Sequence, residues 1–137
     1  MSLAFNPENY ATQLAEKRER LRHLLAEFDA PEPEVFTSAP EHFRLRAEFR
    51  LWYENGQPHY AMFEQGNKHK AVLIDQLPIA SKRINELMTP LLDACKANPI
   101  LGRKLFQVEF LTTLSGEALV TLCYHRPLDE DWDEPAR

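Results

Sequence analysis

Between His42 and Tyr53 the chain alternates strictly. Phe43, Leu45, Ala47, Phe49, Leu51 and Tyr53 take one set of positions, and His42, Arg44, Arg46, Glu48, Arg50 and Trp52 take the other. A period of two sends successive side chains to opposite faces, so the run predicts a strand with one apolar face and one cationic and aromatic face. Asn55-Gly56 follows, a pair that tolerates positive φ at both centres of a type I′ turn, and His59 to Gln65 is expected to fold back as a second strand. A two-residue turn there sets Arg50 opposite Ala61, Leu51 opposite Tyr60 and Trp52 opposite His59. Gly66 to His69 reads as another turn and Lys70 to Asp75 as a third strand. Later, Lys104 to Leu114 and Glu117 to His125 are two β-rich runs around Ser115-Gly116. Taken as a two-residue turn, that pair places Phe106 opposite His125 and Val108 opposite Cys123.

Two other stretches repeat at helical spacing. Asn6-Pro7-Glu8 suits a helix start, with Asn as cap, Pro in the first turn and Glu at the positive end of the helix dipole. Tyr10, Leu14, Leu21, Leu24, Leu25 and Phe28 then form an apolar stripe, which Pro31 and Pro33 end. From Ser81 a second helix is expected, with Ile84, Leu87, Met88, Leu91, Leu92 and Cys95 on one side and a kink at Pro90. Asn98-Pro99 closes it. The acidic end, Leu128 to Arg137, shows no apolar mate within the chain and reads as a tether.

With 137 residues, 44% hydrophobic and 27% charged, the chain fits one globular domain over residues 1–127, followed by the tail 128–137. No stretch resembles a membrane span or a leader, so a cytoplasmic address is expected. The net charge of −5 argues against a nucleic-acid partner only until its distribution is considered. Asp129, Glu130, Asp131, Asp133 and Glu134, set against Arg137 alone, place nearly all of that charge in the last ten residues. A nearly neutral body can carry a basic face.

Catalytic chemistry is hard to place in this sequence. The four glycines, at 56, 66, 102 and 116, are each isolated, so no glycine-rich loop is present to cradle a nucleotide or S-adenosylmethionine. His23, His42, His59, His69 and His125 lack metal-site spacing, and Cys95 and Cys123, far apart, read as buried reduced thiols. The polar face of the first strand is more informative. Arg44, Arg46 and Arg50 project at alternate positions, with Trp52 and His59 continuing the row; guanidinium forks suit phosphate and ring faces suit unpaired bases. The competing reading is an exposed strand whose arginines pair with Glu48 and other acids. Phe106 and His125, flanked by Arg103, Lys104 and Arg126, form either a second stacking platform or ordinary core packing.

Several runs in order, Tyr10 to Lys17, Pro33 to Phe36, Arg44-Leu-Arg-Ala-Glu-Phe-Arg50, Lys104-Leu-Phe-Gln107, Leu111 to Ser115 and Tyr124-His125, resemble the start of the bacterial tRNA (uracil-5-)-methyltransferases. The resemblance spans nearly the whole chain. It implies an S-adenosylmethionine-dependent enzyme that makes 5-methyluridine in the T-loop of tRNA and in the similar loop of tmRNA. The implied reaction is covalent: a cysteine adds to C6 of the uracil, C5 takes the methyl group, and a carboxylate removes the C5 proton. In such enzymes those groups and the cofactor site belong to a C-terminal Rossmann-like domain, so no catalytic or cofactor-binding residue is expected in this chain, and neither Cys95 nor Cys123 is the nucleophile. The resemblance carries RNA contact onto Arg50, Phe106 and His125; Arg46, Lys104 and Arg126 are candidates by proximity only.

The expected fold is α+β: an antiparallel sheet of two hairpins plus a linking strand, with two amphipathic helices burying their stripes against one face and the other face left for RNA. The expected partners are the tRNA T-arm and tmRNA, with no membrane. The alternative is a protein-interaction or dimerisation module whose apolar patch pairs two copies without RNA.

Overall fold

In the computed structural model, residues 6–64 and 66–137 are described. A single antiparallel sheet organises them, built from β1 (Arg46–Glu54), β2 (Gln57–Glu64), β3 (Asn67–Leu73), β4 (Leu105–Thr112) and β5 (Ala118–Tyr124) in the order β3-β2-β1-β4-β5. Helices α1 (Tyr10–Leu25), α2 (Lys82–Ala97), α3 (Pro99–Gly102) and α4 (Glu130–Asp133) complete the α+β architecture.

β1 and β2 turn at Asn55-Gly56, with φ of 50° and 75°, and pair Arg50 with Ala61, Leu51 with Tyr60 and Trp52 with His59. These are the partners that a two-residue turn dictates. The regular strand starts later than the alternation suggests. His42 has φ 57°, and Arg44 makes an isolated parallel bridge to Ala80, so residues 42–45 tie the entry of β1 to the loop before α2. β3 begins at Asn67, earlier than the expected Lys70, because the reversal after β2 is shorter than a Gly66-to-His69 turn. Gln65, the expected end of β2, lies outside the described residues.

The β4–β5 hairpin departs from expectation by one residue. Thr113 N–H donates to the Glu117 carbonyl (3.0 Å) and Gly116 N–H to the Thr113 carbonyl (3.2 Å), so the loop is Leu114-Ser115-Gly116 rather than Ser115-Gly116. Gly116, at φ 93°, closes this three-residue turn in the left-handed region. The longer loop pairs Val108 with Leu122, not Cys123.

One face of the sheet carries the core. Ala47, Phe49, Leu51, Tyr60, Val108 and Phe110 pack against Ile84, Met88, Leu92 and Cys95 of α2. Ser81 caps α2 by accepting from Ile84 N–H (3.1 Å), and Pro90 lies within the helix. The Tyr60 hydroxyl, sealed in this layer, donates to the Met88 carbonyl (2.8 Å).

Helix α1 does not join this layer, contrary to expectation. A 3-10 turn over Pro7–Asn9 precedes it, capped as the sequence suggests by the Asn6 side chain accepting from Glu8 N–H (3.0 Å), yet α1 has no buried residue. What holds it is the segment that returns alongside it. Tyr10 Oη lies 3.1 Å from Ser38 Oγ and accepts from Ser38 N–H (2.9 Å), while Arg18 and Arg22 pair with Glu32. The acidic tail is also corrected, since it does find an apolar mate. Trp132 packs edge-on against Tyr124 (5.9 Å between ring centres) and donates its Nε1–H to the Tyr124 hydroxyl (3.0 Å).

Candidate nucleic-acid interface

On the sheet face opposite α2, alternation brings Arg46, Glu48, Arg50 and Trp52 of β1 to the surface. Their neighbours on β4 are Leu111, Glu109 and Gln107, directly opposite Arg46, Glu48 and Arg50. Phe106 reaches this face through an irregularity. Leu105 pairs with Tyr124 and Gln107 with Cys123, so Phe106 is an extra, unpaired residue of β4. Such a bulge turns two successive side chains the same way. Leu105 and Val108 are accordingly each 1% exposed on the core side, three positions apart where a regular strand would separate them by two.

The bulge assembles a three-tier stack. The Phe106 ring lies 3.9 Å from the His125 ring, 22° from parallel, and the Arg50 guanidinium carbon sits 3.9 Å from the centre of the same phenyl ring. A cation over an aromatic face is attracted by the ring quadrupole, and guanidinium also stacks as a plane. Backbone geometry holds the tiers in place. Lys104 adopts φ 56°, costly for a residue with a Cβ, and its carbonyl receives His125 N–H (3.0 Å), which joins the two strands beside the stack. Leu51, Tyr53, Lys104, Leu105, Phe106 and His125 line an open hollow of about 420 Å³ next to it.

The remaining candidates divide by what their charges already do. Arg46 pairs with Glu48 and lies 3.5 Å from Glu109, so its guanidinium is largely neutralised within the sheet. Arg126 donates through Nε to the Arg103 carbonyl (3.0 Å) and through Nη2 to the Ile100 carbonyl (2.6 Å), and stacks over Tyr124. It therefore serves as a clamp between the end of β5 and α3. Among the described residues no carboxylate pairs with Arg50, and Lys104 is exposed. Arg44 stands apart from the stack, at the bridge to Ala80.

One aromatic of this face was not anticipated. Phe63 meets Trp52 edge-to-face at 6.1 Å; its position in the alternation of β2, two beyond Ala61, was the available signal. Cys123 is only partly buried, unlike Cys95. Burial raises both thiol pKa values above the ordinary range, and for Cys123 the carboxylates of Glu109 and Glu48 add to the effect. Neither thiol is activated.

Comparison with known proteins decides the family. The sequence profile described as tRNA (Uracil-5-)-methyltransferase matches residues 9–137. The chain belongs to this family. Gly56, Gly66 and Gly116 sit at positive φ with no atom within 4 Å of an added Cβ, and Gly102 abuts the Cys95 carbonyl. No strand-to-helix loop among the described residues gathers glycines for S-adenosylmethionine. Nor do those residues contain a cluster of His, Cys, Asp and Glu able to hold a metal, or a helix long and apolar enough to cross a membrane.

Within the tRNA (uracil-5-)-methyltransferase family, the chain is 66% identical over all 137 residues to the tRNA/tmRNA (uracil-C(5))-methyltransferase of Pseudomonas putida strain GB-1. It is 69% identical over 131 residues, 96% of its length, to the protein of that name from Stutzerimonas stutzeri strain A1501. With the one from Pseudomonas aeruginosa strain LESB58 the identity is 64% over 134 residues. The chain spans only 38%, 36% and 37% of these relatives respectively.

Proposed function

We propose that this chain is the RNA-recognition portion of an S-adenosylmethionine-dependent methyltransferase that forms 5-methyluridine in the T-loop of tRNA and in the equivalent loop of tmRNA. Residues 1–127 act as the docking domain. Residues 128–137 lead toward a Rossmann-like portion that holds the cofactor, the cysteine nucleophile and the carboxylate base.

The reading rests on one observation: Arg50, Phe106 and His125, far apart in sequence, form a single stack on the open sheet face. Single-stranded loops are gripped by ring faces that stack on unpaired bases and by cations that meet phosphate. Exposed His125, backed by the Phe106 ring, supplies the first, and Arg50 the second. A base leaving its loop to be methylated opens a gap, and a ring platform at the docking surface stabilises the unstacked neighbours. Lys104 contributes background attraction to the backbone, Arg46 adds little because Glu48 and Glu109 share its charge, and Arg126 acts indirectly by holding the segment that carries His125.

Binding of a T-arm hairpin RNA to the chain and to its Arg50→Ala and Phe106→Ala variants tests the assignment. Both substitutions are expected to weaken binding while leaving the circular dichroism spectrum unchanged. Affinity equal to wild type in both correctly folded variants would remove these residues from the interface. A chain that ignores RNA and sediments as a dimer through Phe106 and His125 would favour a protein-interaction module instead.

A further inference from the structure

The first helix presents an apolar stripe to solvent. Leu21 and Leu24 of the helix are 44% and 63% exposed, Phe28 in the 3-10 turn that follows it is 69% exposed, and Phe36 of the returning segment is 84% exposed. Their spacing of three, four and seven is that of a face built for packing. A 16-residue helix with no buried side chain is marginal in water, since most helical stability in proteins comes from a packed face. The polar links that Tyr10, Arg18 and Arg22 make to residues 32–38 close the arm upon itself and leave the stripe uncovered.

We infer that this stripe is the docking face for the part of the same polypeptide that follows residue 137 in the full-length relatives. Those relatives devote 38% of their length to the aligned region, so well over half of each protein is available to cover it. Chain connection favours this occupant over a second copy. A stable interface between separate molecules engages about 20–30 residues a side, far more than one helical stripe offers. A covalently joined partner binds at an effective concentration near the millimolar range, where a small apolar contact suffices. The arm thus locks the recognition sheet to the following portion and sets their mutual orientation. This inference uses family membership and length, not RNA contact, so its failure leaves the RNA reading untouched.

Hydrogen exchange provides the test, comparing the 137-residue chain with a full-length protein made by joining it to the remainder of the Pseudomonas putida GB-1 relative. Amides from Leu21 to Phe28 are expected to exchange about tenfold or more slowly in the joined protein. Leu24→Asp combined with Phe28→Asp should abolish that difference while leaving exchange in β1 and β4 unchanged. If the joined protein fails to fold, the Pseudomonas putida protein is compared with its own first 137 residues. Equal exchange in the short and long proteins would overturn the inference. So would protection of the short chain that rises with concentration in step with a dimer in sedimentation, since a second copy would then be the occupant.

Discussion

Phe106 and His125 stack face to face at 3.9 Å although no strand register pairs them; Leu105 takes Tyr124, and Gln107 takes Cys123. The contact exists because β4 inserts one residue and the chain beyond β5 continues to the Lys104 carbonyl. Loss of either ring should weaken T-arm RNA binding by about 1–3 kcal/mol, the usual contribution of one aromatic stacking on a base. Phe106→Trp should retain most of the affinity. Because the rings act as one platform, the Phe106→Ala, His125→Ala double variant should lose less than the sum of the single losses in a filter-binding titration. Strict additivity would mean that the rings work separately.

Arg50 and Arg46 lie on the same face of the same strand and differ in what surrounds them. Arg46 shares its charge with Glu48 and Glu109, whereas Arg50 rests on a ring. Arg50→Ala should therefore reduce the slope of log affinity against log salt by about 0.7–0.9, as for one lost phosphate contact. Arg46→Ala should leave that slope nearly unchanged. Equal slope changes in titrations between low and moderate salt would show that the internal carboxylates do not neutralise Arg46 in the complex.

The turn at Gly116 sets the register of β4 on β5, and its φ of 93° is the conformation that only glycine adopts without penalty. Space is not the constraint, since a Cβ there would meet no atom within 4 Å. Gly116→Ala should thus cost about 1–2 kcal/mol from backbone strain alone, read as a lower urea midpoint with an unchanged slope. A variant as stable as wild type would mean that the loop relaxes to another turn.

These elements show how far the sequence can be read and where it stops. Asn55-Gly56 admits one tight turn, so the register of the first hairpin was legible and Arg50 could be placed on the open face. Ser115-Gly116 looks similar, but Thr113, Ser115 and Glu117 interlock by hydrogen bonds of 2.6–2.9 Å and favour the three-residue loop, which shifts the pairs from Thr112 to Gln107 by one. The residue spacing held a trace of the bulge, which shifts Leu105 by one more, because apolar Leu105 and Val108 are three apart where Val108, Phe110 and Thr112 keep a period of two. The Phe106–His125 contact was thus anticipated from a register that does not occur. Apolar periodicity reports that a face prefers burial and not what covers it. Accordingly α2 finds the sheet, α1 buries no residue and is held only by the segment that returns beside it, and Trp132 reaches Tyr124 from a segment whose acidity suggested a tether.

Glu32 joins the returning segment to α1, and its carboxylate makes this link dependent on pH. Hydrogen bonds from Arg22 and then Arg18 hold its pKa down to about 2, against an ordinary value of 4.5. A carboxylate lowered in the folded state contributes stability that is complete above its ordinary pKa and declines as pH falls through the window between the two values. The arm should therefore be intact at pH 6 and loosen between about pH 4.5 and 2, with the sheet unaffected over the upper part of that window. Because all three side chains are exposed, the effect should be local and should weaken in high salt. Side-chain carbon shifts of Glu32 should titrate well below the ordinary carboxylate range, and Glu32→Gln should give the helical shifts of Arg18 to Leu25 their acid values already at pH 6. A normal Glu32 titration, or a Glu32→Gln variant whose α1 shifts match wild type at pH 6, would show that the pairing with Arg18 and Arg22 does not hold the arm in solution.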